Sequence, residues 1–308
     1  MALTTIAWRD EEVSRVVLGA VQLGMKYGIA NTQGQPDRAE AARIVETALQ
    51  GGVRHIDTAQ SYGESEAVLG EALRALGAVH EVRVCSKLDV QMDPHDVPAL
   101  EGAIERSFER LGVPQLWCMM LHRASWLEHW DAGLGALLRK YRDTGRIRHL
   151  GVSLSSPAEA SRCLEHPDME ILQVACNAWD RRMIALDIFG RARTLGKLCC
   201  VRSIYLQGLL TLPPEVVAKR LPAAGKASER WQDVCTRFGT SPLSLAMRFV
   251  LGLNTPLAVG AETQAQIAET LALASLAPLN TNEIEMIGDS LDAVLNEQIL
   301  EPWRWPSQ

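Results

Sequence analysis

The sequence of 308 residues has no apolar stretch that approaches the ~20 residues a membrane-spanning helix needs. Its first residues, MALTTIAWRDEEVSR, place acidic side chains where a signal peptide would carry its apolar centre. A run of lysines or arginines is missing as well, and the net charge of −6 is spread along the chain. Without a basic patch the protein cannot neutralise a row of phosphates. We therefore expect a cytoplasmic protein that binds neither membranes nor nucleic acid.

Metal-ligand and disulfide patterns are also missing. The seven cysteines contain no C-x-x-C pair and the seven histidines lack paired spacing, so we expect neither a metal site nor a disulfide framework. Five cysteines lie in apolar, strand-like runs, where a thiol behaves as a small buried hydrophobe: Cys85, Cys118, Cys176, Cys199 and Cys200. No G-x-G-x-x-G motif follows a strand, which argues against a Rossmann dinucleotide site. A linker is absent too, so residues 1–308 are expected to form one domain.

Short apolar runs rich in β-branched residues recur along the chain and predict eight strands. They are residues 16–21, 53–57, 82–87, 116–122, 147–153, 171–177, 198–203 and 256–260. The segments between them carry helical periodicity, since apolar side chains share one face from Leu100 to Leu111 and again from Leu127 to Tyr141. Strands and helices therefore alternate.

Glycines mark the joints between helix and strand. Gly51-Gly52, Gly145 and Gly196 each stand before a predicted strand, where a left-handed residue can end a helix. Eight parallel strands joined by helices can close into a barrel. The expected fold class is therefore α/β, a (β/α)8 TIM barrel, with a doubly wound open sheet as the alternative.

The spacing of the units breaks once. The seventh predicted strand ends at 203 and the eighth begins at 256, so 52 residues separate them. Helical patterns at 227–238 and 242–252 predict an extra helix in this unit, before the last strand. A further helix or loop is expected at 281–299, after the last strand.

Four polar residues stand where predicted strands end. Asp57, Lys87 and His122 close the second, third and fourth apolar runs, and Tyr62 follows Asp57 in the next loop. An α/β barrel builds its active site at the carboxyl ends of its strands, so these side chains are expected to meet there. Each alone has an ordinary structural explanation, whereas together they can form a proton-transfer unit.

The chemistry of these residue types supports that interpretation. A phenol is a weak acid with a pKa near ~10, and a cation held against its oxygen lowers that pKa. Lys87 can supply the cation beside Tyr62, and the carboxylate of Asp57 would keep a buried lysine charged. His122 can donate a hydrogen bond to the same carbonyl oxygen of a substrate. We therefore expect these four residues to be catalytic, with Tyr62 as general acid.

The segment GGVRHIDTAQSYGESEAVLGEAL at 51–73, together with SKL and LHR around Lys87 and His122, resembles the signature of the aldo-keto reductases. The resemblance runs from VVLGAVQLG through GVSLSS, ILQVACN and RSIYLQGLL to VGAET, and so covers most of the chain. It implies that the four residues are a catalytic tetrad and that a nicotinamide lies across the top of the barrel. It also implies reduction of aldehydes or ketones, sugar-like or aromatic, to alcohols by hydride transfer.

The resemblance further implies a set of cofactor contacts. Ser153 and Gln173 are expected to contact the nicotinamide amide, and residues 203–208 the pyrophosphate. The full expected set is Ser153, Gln173, Arg202, Ser203, Leu206, Gly208, Gly260, Glu262, Gln266 and Glu269.

Three features of the sequence depart from the family pattern. Leu154 stands where many members carry an asparagine, and Arg202 where many carry an aromatic side chain that stacks on the nicotinamide. A guanidinium can also stack, and its charge would favour the reduced, neutral cofactor. Glu262 and Glu269 stand near the last strand, where NADP-preferring relatives place Lys or Arg to hold the 2′-phosphate. The usual cofactor of the family nevertheless slightly favours NADP(H), with NAD(H) as the alternative.

The expected substrate pocket is lined by aromatic side chains near strand ends, namely Tyr27, Trp126 and Trp179. Trp303 and Trp305 near the carboxyl terminus are further candidates. Residues 22–36 are too long for a tight turn and are expected to form a loop over the site.

Two other functions remain open at this point. A regulatory protein could retain the cofactor with little turnover, as some relatives associated with ion channels suggest. A barrel lyase or isomerase could use Lys87 as a Schiff-base nucleophile.

Overall fold

The computed structural model describes residues 4–306 and contains a closed barrel of eight parallel strands. Strands are numbered in chain order, so that a short hairpin provides β1 and β2 and the barrel contains β3 to β10. The barrel strands are β3 Val16–Gly19, β4 His55–Asp57, β5 Arg83–Lys87, β6 Leu116–Leu121, β7 Ile147–Leu154, β8 Ile171–Ala175, β9 Leu198–Arg202 and β10 Leu257–Gly260. Each pairs with the next along the chain, and β10 closes the ring between β9 and β3. The predicted (β/α)8 barrel is confirmed and the open sheet is wrong.

Helices surround the barrel. They are α1 Val21–Gly24, α2 Arg38–Gln50, α3 Ser65–Ala75, α4 Val97–Leu111, α5 Leu134–Asp143, α6 Pro157–Leu164, α7 Arg182–Ala185, α8 Ile188–Thr194, α9 Pro214–Arg220, α10 Gly225–Arg237, α11 Pro242–Leu251, α12 Gln264–Leu273, α13 Thr281–Leu291 and α14 Glu297–Leu300. Short 3₁₀ segments lie at Ala124–Ala132, Leu209–Thr211, Pro222–Ala224, Asp292–Val294 and Pro302–Arg304. Helices α9 to α11 confirm the insertion before the last strand, and α13 and α14 occupy most of the region predicted after it.

The local sequence explains where these elements begin and end. All six residues of β6 are buried, as expected for a strand covered by the barrel interior on one side and helices on the other. Helix α2 begins at the N-cap Asp37, whose side chain accepts from the Glu40 amide. It ends before Gly52, which takes a φ of +94° that a side chain would disfavour. These glycine-ended joints turn the chain back into the next strand.

The predicted helical face from Leu127 to Tyr141 is wrong in one respect. Two segments, the 3₁₀ turn Ala124–Ala132 and α5, replace a continuous helix. The helical conformation is interrupted at Gly133, which has a φ of +114°. The Trp130 indole then packs so closely on Gly135 that a Cβ there would lie 2.6 Å from the ring. Both segments bury their apolar side chains, which is why the sequence periodicity runs across the break.

A hairpin at the amino-terminal end of the barrel was not predicted. Strands β1 Thr5–Trp8 and β2 Glu11–Ser14 pair antiparallel, with alternate residues buried along β1. The Trp8 indole packs in an edge-to-face arrangement against Trp117 on β6, with ring centroids 6.3 Å apart. Trp8 also donates from Nε1 to the carbonyl oxygen of Gly196, which precedes β9. The hairpin therefore closes the end of the barrel opposite the predicted site.

Charged groups secure the hairpin to the barrel. The carboxylate of Glu11 accepts from the Trp117 indole at 2.8 Å and from Arg148 at 2.7 Å, and lies 2.6 Å from His149. On its other side, the His149 ring lies 3.2 Å from Glu170. Despite the desolvation of Glu11, these bonds lower its pKa to about 2. Glu11 is therefore charged at neutral pH, and its bonds attach the hairpin to the barrel.

Two further expectations concern the chain as a whole. All seven cysteines are buried free thiols, which confirms the buried interpretation of the five in strand-like runs. In the range 4–306, every helix is too short or too polar to cross a membrane.

Beneath this hairpin, His55 should make the fold sensitive to acid. Its Nδ1 accepts from the Ser14 amide, and burial lowers its pKa from 6.5 to about 3. The unfolded chain then binds a proton that the folded chain does not, so stability falls as the pH drops below 6.5. Between pH 6.5 and 4.5, we expect His55 to lower the free energy of unfolding by about 2–3 kcal/mol.

The check is the melting temperature as a function of pH for the wild type and for His55→Gln. The variant should show a shallower fall between pH 6.5 and 4.5, whereas His80→Gln, at an exposed position, should retain the wild-type slope. Equal slopes for wild type and His55→Gln would contradict this account of His55.

Candidate active site

The polar residues predicted to meet at the strand ends do meet there. Lys87, the last residue of β5, is fully buried beside Asp57, the last residue of β4. Its Nζ donates to Asp57 Oδ2 at 2.8 Å, to the carbonyl oxygen of Thr58 at 2.9 Å and to Tyr62 Oη at 3.3 Å. All three protons of the ammonium therefore have acceptors.

The charge of Lys87 depends on this environment. Burial alone would lower its pKa, but the Asp57 carboxylate outweighs burial and raises the pKa above its ordinary value. A Schiff-base nucleophile must be a neutral amine that reaches the substrate. Lys87 is charged, has 0% exposure and uses all of its protons, so the geometry opposes the lyase or isomerase alternative.

A tight turn positions Tyr62 above Lys87. The Tyr62 amide donates to the carbonyl oxygen of Ala59, and its own carbonyl oxygen accepts from the Ser65 amide at the start of α3. The turn lies directly against Gly24, where a Cβ would come within 2.0 Å of the Tyr62 carbonyl oxygen. The requirement for glycine at position 24 thus follows from the placement of the tyrosine.

His122 follows β6 and faces Tyr62. The two ring centroids are 5.6 Å apart with planes at 78°, and His122 Nδ1 lies 3.1 Å from Ser61 Oγ. Burial, helped by the charges of Lys87, Arg202 and Arg123, lowers the pKa of His122 to about 3. The imidazole is therefore neutral at physiological pH and can donate from one nitrogen only.

A second layer of hydrogen bonds fixes Asp57. Gln173 on β8 donates from Nε2 to Asp57 Oδ1 at 2.7 Å, so both carboxylate oxygens are occupied. Ser153 on β7 in turn donates to Gln173 Oε1 at 3.4 Å. Gln173 is only 1% exposed, because its amide holds the carboxylate rather than facing outward.

A large cleft covers the carboxyl ends of the strands and has a volume of about 1330 Å³. Asp57, Tyr62 and His122 border it, and Lys87 lies beneath them. Eight of the ten expected cofactor contacts also border it: Ser153, Arg202, Ser203, Gly208, Gly260, Glu262, Gln266 and Glu269. The volume suits a dinucleotide together with a small substrate, since pockets for a single drug-sized ligand measure roughly 300–1,000 Å³.

Comparison with known proteins identifies the chain. A model of the aldo/keto reductase family matches residues 15–292, which span most of the sequence. The chain belongs to the aldo-keto reductase family. It is therefore an oxidoreductase that acts on carbonyl groups, and members of this family use NAD(P)H.

Relatives of this aldo-keto reductase have varied names. An NADH-specific methylglyoxal reductase of Escherichia coli (strain K12) is 25% identical over 300 residues, with 85% of this chain and 90% of the relative covered. A 6-dehydroglucose reductase of Novosphingobium aromaticivorans is 31% identical over 159 residues, or 48% of this chain and 51% of the relative.

Solved structures share the barrel. The holo form of the aldo-keto reductase AKR11C1 from Bacillus halodurans has a TM-score of 0.77 at 20% identity, covering 98% of this chain and 100% of that one. The glycerol dehydrogenase AKR11B4 from Gluconobacter oxydans has a TM-score of 0.75 at 23% identity, covering 100% and 98%. At these identities the likeness shows the fold alone.

Two residues that we expected to contact the cofactor, Gln173 and Leu206, do not border the cleft. The Gln173 amide is used on Asp57, and the Leu206 side chain is buried in the core with 1% exposure. The loop of Leu206 is nevertheless unusual, because Ser203, Leu206 and Gln207 all have positive φ values. Such strain concentrates at ligand-binding segments. The contacts of Gln173 and Leu206 with the cofactor therefore stay predictions, and the backbone of the loop around Leu206 remains available for such a contact.

Two buried polar atoms at the cleft belong to segments predicted to lie at the site, although the sequence did not single out these two residues. Within residues 4–306, Gln22 Oε1 and Tyr205 Oη are buried without a hydrogen-bond partner, and both residues border the cleft. Buried polar groups in proteins usually have partners. These atoms fit a site that is completed by a polar ligand such as a dinucleotide.

The two departures at Leu154 and Arg202 are structurally linked. Arg202 donates from Nη2 to the carbonyl oxygen of Leu154 at 2.9 Å and from Nη1 to Ser203 Oγ at 3.2 Å. The arginine at the end of β9 therefore bonds the backbone at position 154, where the family resemblance led us to expect an asparagine. No carboxylate in the described part of the chain forms an ion pair with Arg202, so its charge faces the cleft.

Two of the aromatic residues predicted for the substrate pocket, Trp126 and Trp179, do not border the cleft. Trp126 and Trp179 are 6% and 1% exposed and belong to the hydrophobic core around the barrel. Each large indole fills space between elements, which outweighs its position near a strand end. Tyr27 does border the cleft, and so does Trp303, whose side chain is 56% exposed.

The loop 22–36 covers part of the cleft as predicted. Tyr27, Gly28 and Ala30 border the cleft, and the Ala30 amide donates to the carbonyl oxygen of Gln207 across it. The carbonyl oxygen of Ile29 also accepts from Arg220. The first loop of the barrel is thus attached to the loop that follows β9.

The buried ion pair should dominate the stability of this region. We expect Asp57→Asn or Lys87→Met alone to lower the free energy of unfolding by about 3–5 kcal/mol, because each leaves an uncompensated buried charge. The double variant should lose less than the sum of the two, because no buried charge is left unpaired.

Chemical denaturation of the two single variants and the double variant measures this coupling. Lys140→Met is the control, since it breaks an exposed ion pair with Glu101 of the same 2.8 Å length and should cost less than about 1 kcal/mol. Additive losses at positions 57 and 87 would contradict the coupling.

Proposed function

We propose that this aldo-keto reductase reduces an aldehyde or ketone to an alcohol with a reduced nicotinamide, and that Tyr62 donates the proton. The observation that carries the proposal is the contact of Lys87 Nζ with Tyr62 Oη and Asp57 Oδ2 at the edge of the cleft. A charged ammonium against the phenol oxygen stabilises the phenolate that remains after proton transfer.

The other residues support this step. Asp57 keeps Lys87 charged, and Gln173 holds Asp57 in place. His122, neutral and at the cleft edge, donates a hydrogen bond to the substrate oxygen and so orients it toward Tyr62. Asp57, Tyr62, Lys87 and His122 are therefore proposed as the catalytic tetrad.

The bound nicotinamide would supply a hydride to the carbonyl carbon. Ser153, Arg202 and Ser203 would hold the nicotinamide end, and Gly208, Gly260 and the strained loop before Gly208 the pyrophosphate. The carbonyl oxygen would gain the Tyr62 proton. One C–H and one O–H bond would form on the substrate as its C=O π bond breaks, at the expense of the C–H bond that supplies the hydride and the O–H bond of Tyr62. The phenolate beside Lys87 then regains a proton from solvent.

The proposed substrate is a small, polar carbonyl compound. Beyond His122, the cleft is lined by Arg123, Ser125, Ser155 and Ser156, which can bond hydroxyl or carbonyl oxygens. With Trp126 and Trp179 in the core, less aromatic surface remains to select an aromatic substrate. Relatives named methylglyoxal reductase and 6-dehydroglucose reductase act on substrates of this polar kind, which supports the proposal.

Replacing the proposed proton donor tests the mechanism. With NADH or NADPH and methylglyoxal, cofactor oxidation followed in the near ultraviolet should fall by roughly 10²–10⁴-fold in Tyr62→Phe, the usual contribution of a general acid. Cofactor binding, followed by fluorescence, should persist because the phenyl ring is retained. Tyr141→Phe, which removes a hydroxyl that bonds Glu105 outside the cleft, should keep turnover.

Other outcomes distinguish the alternatives. Cofactor binding without turnover of any small aldehyde by the wild type would favour the regulatory protein. A Tyr62→Phe variant as active as the wild type would exclude Tyr62 as the donor.

We further propose that NADH is used in preference to NADPH, which reverses the slight preference expected from family habit. Glu262 and Glu269 border the cleft beside the last strand, and neither forms an ion pair within the described residues. A carboxylate at this place repels a 2′-phosphate and accepts from a ribose hydroxyl. The NADH-specific relative supports the same choice.

Charge reversal tests the cofactor proposal. Glu262→Lys should lower the ratio of kcat/KM for NADH to that for NADPH by about 10-fold or more, since roughly 1.4 kcal/mol of altered charge interaction gives a factor of ten. The matched control is Glu285→Lys, an equal change of charge at an exposed position outside the cleft. An unchanged ratio in Glu262→Lys would remove Glu262 from cofactor selection.

A further inference from the structure

Ser61 contacts the active-site histidine but has no role in the tetrad. Its hydroxyl oxygen lies 3.1 Å from His122 Nδ1, and within residues 4–306 this is the one hydrogen bond of that hydroxyl. Ser61 directly precedes Tyr62 in the turn after β4, which makes the hydroxyl part of the same rigid segment as the phenol. The turn therefore contacts both Lys87 and His122.

The hydrogen bond determines how His122 can act. A neutral imidazole carries one N–H and one bare nitrogen, and the partner of one nitrogen decides where the proton resides. Nδ1 faces Ser61, and no residue in the described range bonds Nε2. Since His122 borders the cleft, Nε2 is the nitrogen left for a substrate oxygen.

We propose that Ser61 is a positioning residue: its hydroxyl donates to His122 Nδ1 and thereby keeps the proton on Nε2, from which the imidazole donates to the substrate oxygen. The inference rests on the proposed reductase function for its kinetic consequence. The low pKa of His122, about 3, supports it because a neutral ring is needed for one nitrogen to be an acceptor. The opposite arrangement, with Nδ1–H donating to Ser61, would leave Nε2 bare and turned toward the lone pairs of the carbonyl oxygen.

The edge-to-face packing of the rings adds a geometric constraint. With planes at 78° and centroids 5.6 Å apart, Tyr62 limits the tilt of His122, and the Ser61 bond limits its rotation. Two donors, Tyr62 Oη and His122 Nε2–H, would then point at one oxygen without rearrangement when the substrate binds. Such preorganisation is what makes hydrogen-bond donors effective in transition-state stabilisation.

Imidazole ¹⁵N NMR of histidine-labelled protein tests the tautomer without any turnover. The chain has seven histidines, so His122→Gln identifies the relevant signals by difference. The wild type should show the Nε2–H tautomer of His122, with cross-peaks of a bare Nδ1. Ser61→Ala should shift this ring toward a mixture of tautomers, and Ser61→Thr, which retains the hydroxyl, should restore the wild-type pattern.

Kinetics provides the second readout. Ser61→Ala should lower kcat by roughly 3- to 10-fold, the range of one neutral hydrogen bond, while the dissociation constant of the cofactor stays unchanged. Ser61→Thr should recover most of the loss. A residue with only a structural role would not link the loss in kcat to the tautomer of His122.

Several results would overturn the proposal. An Nδ1–H tautomer in the wild type would show that Ser61 accepts rather than donates. A tautomer and a kcat that are both unchanged in Ser61→Ala would show that the contact has no effect. Because the NMR result does not depend on activity, a failure of the reductase proposal in the Tyr62→Phe assay would be recognised separately.

Discussion

The arrangement at the cleft depends on the ion pair between Lys87 and Asp57. A fully buried ammonium is unfavourable unless a carboxylate and further acceptors surround it, and here the three acceptors are Asp57, Thr58 and Tyr62. The pair joins the ends of β4 and β5, which are neighbours in the barrel. Because Tyr62 is itself one of the acceptors, the same interaction that makes the charge tolerable also fixes the phenol at the edge of the cleft.

Much of this site could be predicted from the sequence because the barrel imposes a simple rule. Polar residues that end apolar strand runs come together at one end of a parallel barrel, and Asp57, Lys87 and His122 were found in this way. The eight strands were also predictable, since continuous apolar runs between helices leave few alternatives. Tyr62 followed from its nearness to Asp57 in the sequence and from the resemblance.

Other features depend on contacts between distant residues. Trp126 and Trp179 stand near strand ends, but whether an indole faces the cleft or the core is decided by the space that neighbouring helices leave. The Gln173 side chain points into the barrel because it donates to the second oxygen of Asp57. This need for a donor arises only in the folded barrel, where Lys87 bonds the first oxygen. The amino-terminal hairpin has strands of four residues, too short for alternation to distinguish them from a loop. The bond between Arg202 and the Leu154 backbone joins residues 48 positions apart.

The central claim is that Tyr62 delivers a proton to the oxygen of a carbonyl whose carbon receives a hydride from the nicotinamide. Its most direct test is single-turnover oxidation of reduced cofactor, deuterated at C4 or not, in H₂O and in D₂O with methylglyoxal as substrate. The account predicts slower oxidation both with the deuterated cofactor and in D₂O, because hydride and proton transfers contribute to the same step. Oxidation at a rate that responds to neither substitution, or no oxidation by any small aldehyde, would contradict it.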